Sequence, residues 1–271
     1  MGWHARLALH YQRQGGAAAP ATARAADAEA AAAASAAPAR TVARFEHEGP
    51  LRILQSLHPE GPGICHNVLV HPPSGLVAGD RLDITVQVDA GAHGLVTTPG
   101  ATRFYRSEGE AATQDARVRV AAGGRLEWLP MEALCYSGCR AENRLHLDLA
   151  PGAEAMGWDV TALGLPASGQ PFVAGRLQQH LELEGIWLER GRVDASDKRL
   201  MDGPLGLSGH RCLATLFLLA GNDMDRDTRE TALASARAVM ETHPLGQLAG
   251  VTSPHPRVVV LRLPQSEPCA V

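Results

Sequence analysis

Leu82-Asp83-Ile84-Thr85-Val86-Gln87-Val88 alternates apolar and polar side chains, runs into Asp89-Ala90-Gly91-Ala92, and resumes an apolar pattern at Leu95-Val96-Thr97. A period of two puts Leu82, Ile84, Val86 and Val88 on one face of a strand. The same design returns at Val118-Arg119-Val120, Ala122-Gly123-Gly124 and Leu126-Glu127-Trp128. It returns again at Leu147-Asp148-Leu149, Pro151-Gly152-Ala153 and Met156-Gly157-Trp158, and more weakly at Leu181-Glu182-Leu183, Gly185 and Trp187-Leu188. Gly91, Gly123 and Gly152 are about 30 residues apart, a spacing typical of stacked units. Glycine accepts the positive φ such a turn demands, and each strand pair has one face to bury. One unit cannot bury that face alone, so neighbours must stack. The expected fold is mainly β: two-layered, β-helical or solenoid-like stacked strands with a few helices. A β-sandwich of similar hairpins is the alternative.

Outward from this repeat, Ala5, Leu7 and Leu9 alternate with Arg6, Ala8 and His10, which predicts a half-buried strand. Residues 15–40 are almost all Ala, with Pro20 and Pro38 at the flanks. With no large apolar side chain this stretch has nothing to anchor to a core, and it reads as a low-complexity loop insertion. Thr41-Val42-Ala43-Arg44-Phe45 resumes as a partner for the first strand. Late in the chain, Asp227-Thr228-Arg229-Glu230 has the form of a capping box. Leu233, Ala236 and Met240 follow at helical spacing, so a helix is expected from about Thr228 to Thr242, before Pro244. Val258-Val259-Val260-Leu261 reads as a final strand. No domain boundary stands out, so residues 1–271 read as a single domain.

Bulk properties narrow the function. Hydrophobic residues make up 45% of the chain and charged residues 20%. The formal net charge is -4, with no basic block, which argues against nucleic acid as a partner. The Cys count is odd (Cys65, Cys135, Cys139, Cys212 and Cys269), and the spacing is no disulfide framework, pointing to a reducing compartment. The N-terminus lacks a signal-peptide pattern, and the apolar run Leu213 to Ala220 is too short to span a bilayer. The expected location is cytoplasmic, without membrane association.

Catalytic signatures are absent: no GxGxxG after a strand, no GxxxxGK[ST], no HExxH and no GxSxG. Cys65-His66 with His71 offers thiolate and imidazole donors, but adjacent strand residues point to opposite faces. The cluster therefore reads as a buried Cys beside a His near a turn. Cys135 and Cys139 lack the two-residue spacing of a zinc pair and read as reduced thiols. His71-Pro72-Pro73-Ser74-Gly75-Leu76-Val77-Ala78-Gly79-Asp80 is a rigid connector that fixes Asp80 at the start of the alternating strand. Asp80 there reads as a cap for nearby N–H groups.

That connector resembles the pattern HPPGGxVGGD of the UreD (UreH) urease accessory family. Gly49-Pro50-Leu51-Arg52 with His58-Pro59-Glu60-Gly61 resembles its GPLxxQ…YPEG segment, and Cys65-His66 its CH pair. Thr98 to Ser107 is similar to TxxA[ST]KxYRS, and Leu126 to Pro130 to LEWLPQ. Gly157-Trp158-Asp159 and Leu188-Glu189-Arg190 fit in the same order. Departures are Ser74 and Ala78 in place of glycines, Met131 in place of Gln, the extra Cys135 and Cys139, the Ala-rich insertion and an atypical, shortened C-terminus after Val260.

The resemblance implies a β-rich, two-layered fold and a non-catalytic scaffold. Such a scaffold binds apo-urease subunits and recruits UreF and the GTPase UreG for nickel insertion. It implies no tightly bound cofactor, but a transient nickel path that maps here to Asp80, Thr102, Asp159 and Glu189. On alternating strands, Asp159 and Glu189 face away from Trp158 and Leu188. Two other readings compete: a nickel metallochaperone in its own right, which would hold stoichiometric metal, and a β-rich hydrolase, which would need a coupled nucleophile and base. One expectation concerns the insertion. Deleting Ala17 to Pro38 should leave the thermal unfolding midpoint nearly unchanged, because loop-closure entropy varies slowly with length. A large loss of stability would mean that the segment packs.

Overall fold

The computed structural model describes residues 2–15 and 39–265. The expectations placed on the Ala-rich stretch and on the tail beyond Gln265 lie outside the described residues.

The chain opens with β1 (His4–Gln14) and β2 (Arg40–Glu48), followed by the short β3 (Ser56–Leu57), β4 (Ile64–Val68) and β5 (Gly75–Leu76). Then come β6 (Arg81–Val88), β7 (His93–Thr97) and β8 (Thr102–Phe104), and after them β9 (Ala112–Val120), β10 (Arg125–Leu129) and β11 (Ala133–Cys135). Next are β12 (Arg140–Leu149), β13 (Glu154–Leu165), β14 (Gln170–Pro171), β15 (Arg176–Leu183) and β16 (Trp187–Asp194). A short helix α1 (Lys198–Asp202) precedes β17 (Cys212–Ala220), α2 (Arg226–Thr242), β18 (Gly250–His255) and β19 (Val258–Gln265).

These strands form two facing sheets. The first has the order β16-β15-β12-β9-β6-β1-β2, with β1, β6, β9, β12 and β15 mutually parallel and an antiparallel strand at each edge. In the second, β4, β7, β10 and β13 are parallel, and β17, β19 and β18 extend it antiparallel. A third short parallel ladder, β5-β8-β11, joins the far half of β13. Each turn of the coil is therefore a run such as β6, β7, β8 or β9, β10, β11, stacked on the turn before it. This is the solenoid expected from the repeat.

The corners explain the stacking. Ala92 N donates to Asp89 O at 3.1 Å, Gly124 N to Ala121 O at 2.9 Å, and Ala153 N to Ala150 O at 2.9 Å. Gly91, Gly123 and Gly152 sit third in these turns at φ of 67°, 67° and 78°, the type II geometry. Successive corners also bond to one another: Ala121 N to Val88 O at 2.8 Å and Ala150 N to Val120 O at 2.9 Å. The ladder thus continues around the bend. The weak fourth copy behaves differently. Gly185 makes the same kind of turn, but it folds β16 back antiparallel on β15 in the same sheet. It closes the first sheet and does not begin another coil.

Between the sheets lies one cluster of buried side chains, including Leu7, Leu9, Val86, Val118, Leu147, Leu181, Phe217 and Val260. β1 buries Ala5, Leu7 and Leu9 as its alternation predicts, and β2 pairs with it as far as Gln14 and Arg40. Cys65 is buried while His66 faces the other way, toward Glu60 at 2.8 Å. The helix begins two residues before the expected box. Asp225 is the cap, accepting from Thr228 N at 2.7 Å, and Asp227 lies in the first turn. Leu233, Ala236 and Met240 are half-covered, as are Arg229 and Ala232, and α2 lies against β18 and β19. Ser74, where the resembled pattern has glycine, adopts a left-handed φ of 58°.

Tyr11 crosses the core and donates its hydroxyl to Leu95 O at 2.9 Å. Its ring fits only because residue 94 is glycine: a Cβ there would lie 2.4 Å from Tyr11 Cε2. Gly94→Ala should therefore cost about 1–3 kcal/mol by overpacking, read as a lower urea midpoint at unchanged slope. An unchanged midpoint would mean that the Tyr11 ring has room to move.

Candidate functional site

One layer of the apolar interior is polar. Gln114 on β9, Asn143 on β12 and Gln179 on β15 are register partners in successive parallel strands. They share a strand face with buried Ala112, Ala116, Ala141, Leu145, Leu177 and Leu181, so their side chains project inward. Asp159 and Thr161 on β13, and Thr102 on β8, meet them from the opposite wall. The result is a chain of hydrogen bonds. Thr102 Oγ1 donates to Gln114 Oε1 at 3.5 Å, Gln114 Nε2 to Asn143 Oδ1 at 3.1 Å, and Asn143 Nδ2 to Asp159 Oδ2 at 2.9 Å. Asp159 Oδ1 accepts from Gln179 Nε2 and, at 3.3 Å, from Thr161 Oγ1.

Three cavities lie along this chain. The first, about 180 Å³, is lined by His71, Ser74, Thr98 and Thr102 among others. The second, about 30 Å³, is lined by Thr98, Thr102, Gln114, Asn143 and Asp159. That is room for one or two waters, with enough polar partners to hold them. The third, about 610 Å³, opens on the far side and is lined by Gln179, Glu189, His210, Thr215 and Arg262 among others. The first two share Leu69, Thr98 and Thr102, and Asp159 of the second is hydrogen-bonded to Gln179 of the third.

Of the four residues implied by the resemblance, Thr102 and Asp159 share the small central cavity. Glu189 lies in the third cavity, where Oε1 accepts from Arg262 Nε and the buried Oε2 makes no hydrogen bond. Asp80 is set apart from the chain. It is buried and accepts from Trp3 N at 3.1 Å and Val77 N at 2.9 Å, the capping role read from the connector. Its charge is felt by His71, whose buried Nε2 makes no hydrogen bond at the first cavity. Burial lowers the His71 pKa, and Asp80 opposes that.

Asp159 is the most perturbed carboxyl of the group. Burial pushes its pKa up to about 6, and the charge of Glu189 adds to the rise, while hydrogen bonds from Gln179 and Thr161 hold it down. Cys135 and Cys139 are buried free thiols in hydrogen-bond contact with each other. That contact holds the Cys139 thiol down, and together with burial it pushes Cys135 up.

The amides were missed by the sequence reading, and His71 was weighed there only as a metal donor beside Cys65 and His66. A signal for two of them existed: Gln114 and Asn143 each stand nine residues before their turn glycines, Gly123 and Gly152. Aligning the repeats on those glycines places the two amides on one rung.

A family model described as UreD urease accessory protein matches residues 24–268. A urease accessory protein UreD from Paracidovorax citrulli is 62% identical over 263 residues, covering 97% of this chain and 87% of that protein. One from Variovorax paradoxus is 56% identical with the same coverage. Another from Verminephrobacter eiseniae is 57% identical over 270 residues, covering 99% of this chain and 90% of that protein.

The raised pKa of Asp159 has a sign that can be measured. The folded chain holds this proton more tightly than the unfolded chain, so the stability it supplies is full below the ordinary carboxylate range. It is lost as pH rises through about 6. Urea melts of wild type and Asp159→Ala at pH 4 and pH 7.5 should show wild type losing up to about 3 kcal/mol relative to the variant. Parallel pH profiles would overturn the assignment.

Proposed function

The chain belongs to the UreD family of urease accessory proteins, with a role in urease maturation, and from that premise we propose that it is a non-catalytic scaffold. In this reading it binds apo-urease, recruits UreF and the GTPase UreG, and lets nickel cross its interior toward the urease active site. Nucleotide hydrolysis belongs to UreG. The observation that carries the proposal is the polar rung: a line of amide, hydroxyl and carboxylate groups threading an otherwise apolar core, with a cavity at each end.

Burying so many polar groups costs free energy unless they bond to one another, and these do. Oxygen donors suit a cation in transit, because thiolates would hold nickel longer. Thr102 and Asp159 serve the central cavity and Glu189 the far one, while Asp80 acts at one remove through His71. Deprotonated Asp159 offers the charge that a dication requires, so passage is favoured above about pH 6. No helix among the described residues is long and apolar enough to cross a membrane. The working location in this reading is the cytoplasm.

Pull-down of UreF, UreG and apo-urease by the full chain tests the scaffold, and the nickel content of matured urease tests the path. Asp159→Ala, Glu189→Ala and the double variant should retain all partners and lower nickel per active site several-fold, most in the double variant. Full nickel loading in the double variant would remove the path. Failure of the folded wild-type chain to retain UreF would remove the scaffold. Asp80→Ala should behave differently. It leaves two backbone N–H groups without an acceptor, at about 1–3 kcal/mol each, and should lose stability and assembly together.

A further inference from the structure

The outer face of the first sheet carries a second constellation, separate from the interior rung. His146 on β12 is the register partner of Glu182 on β15, and His180 stands two residues before Glu182. Their chain neighbours Leu145, Leu147, Leu181 and Leu183 are buried, so the two imidazoles and the carboxylate point outward. His146 Nδ1 lies 3.2 Å from Glu182 Oε2, and His180 Nε2 lies 2.7 Å from the same oxygen. The three atoms all lie within 4.8 Å of one another. The rings are 4.5 Å apart between centroids.

We infer that His146, His180 and Glu182 form an open surface site for a borderline divalent transition-metal ion, of the class of Ni²⁺ and Zn²⁺. Metal–nitrogen and metal–oxygen bonds in such sites are about 2.0–2.2 Å. Two ligands on one ion are then about 3 Å apart at octahedral angles and about 3.4 Å apart at tetrahedral ones. The two nitrogen–oxygen separations, 3.2 and 2.7 Å, lie near the octahedral value. Two imidazoles with one carboxylate select a borderline cation over Mg²⁺ or Ca²⁺, which take oxygen sets. Without metal, both ring N–H groups donate to the carboxylate, which can only accept when ionised. A bound ion takes the place of those two donors, each neutral ring shifting its proton to the other nitrogen.

The backbone preorganises this set. β12 is held between β9 and β15, and β15 between β12 and β16. The side chains are partly exposed, 32% for His146, 14% for His180 and 28% for Glu182, so solvent reaches the ion from one side. Three protein ligands leave at least one position for water or for a donor from elsewhere, the mark of an exchangeable site. Neighbouring charges are mixed: Arg144 and Arg190 are the register partners of His180, and Arg144 is paired with Glu142. Arg117, the partner of His146 on β9, is paired with Asp115 at 3.1 Å, and Arg119 faces Asp148 at 3.8 Å. Asp148 and Glu184 line the same shallow cavity as His146 and Glu182, together with Arg117 and Arg119. The site is independent of the interior rung and stands or falls apart from it.

Calorimetric titration of the full chain with Ni²⁺, Zn²⁺ and Mg²⁺ tests this. Wild type should bind one equivalent of Ni²⁺ or Zn²⁺ at this site and show no matching event with Mg²⁺. The double variant His146→Ala/His180→Ala should lose that equivalent or weaken it at least tenfold, and Glu182→Gln should weaken it less. Asp159→Ala should leave it unchanged. X-ray absorption of the nickel-loaded wild type should show imidazole scattering and no sulfur. Unaltered binding in the folded double variant would overturn the site, as would sulfur ligation or loss of the equivalent in Asp159→Ala. If the double variant fails to fold by circular dichroism, His180→Gln alone decides by the same tenfold criterion.

Discussion

The corner turns at Gly91, Gly123 and Gly152 determine the register of everything stacked on them. Each turns the chain over four residues with one internal hydrogen bond; the corners at Gly123 and Gly152 donate a bond to the corner below, and the one at Gly91 donates to Tyr11 O on β1. A side chain at the third position would force a left-handed φ on a residue that resists it, by roughly 1–2 kcal/mol. Because the corners match, residues at equal distance from them fall on the same rung. Rungs of like residues follow, and a parallel stack is stable only if each rung is consistent from one turn to the next. Ile84, Val86 and Val88 meet Ala116, Val118 and Val120 in this way.

One rung breaks the apolar rule, and it does so as a unit. A single amide buried there would leave donors and acceptors without partners. Gln114, Asn143 and Gln179 instead stand in adjacent strands and meet Thr102, Thr161 and Asp159 across the interior. In a low-dielectric interior such a network is stronger per bond and costlier to break than the same contacts in water. Its weak point is Asp159, whose carboxyl lacks a cationic partner in the network and sits near Glu189. The neutral form is favoured up to about pH 6, and above that the network carries a buried negative charge.

Much of the fold was legible because period and turn chemistry are local. The strand alternation, the glycine corners, the partner strand at Thr41 and the late helix all rest on near neighbours in sequence. The helix start slipped by two residues because Asp225 and Asp227 are both competent caps, and only the backbone chose between them. The Gly185 copy misled for a different reason: the same turn serves a coil corner or a hairpin, and tertiary packing decides. The candidate site was half legible. Asp159 and Glu189 do face away from Trp158 and Leu188, but in the second pair the apolar residue is the one outside, with Leu188 49% exposed. A rule of apolar in, polar out would have reversed the assignment. The amide at Gln179 lies only six residues before Gly185, out of phase with its rung mates, so no alignment on glycines finds it.

The same register gives the first sheet two unlike polar faces. Inside, its strands present amides that reach Asp159 of the second sheet; outside, β12 and β15 present imidazoles with a carboxylate. Imidazole is the stronger donor for a borderline cation, and amide oxygen the weaker. An ion held outside is therefore not drawn inward by affinity alone, and the sheet between them is closed by Leu145, Leu147, Leu181 and Leu183. The two features cannot be successive stations of one spontaneous path through the sheet. An outer site of this kind exchanges its ion with solvent or with a partner that supplies the missing ligand, while the interior rung connects only cavities at its own ends.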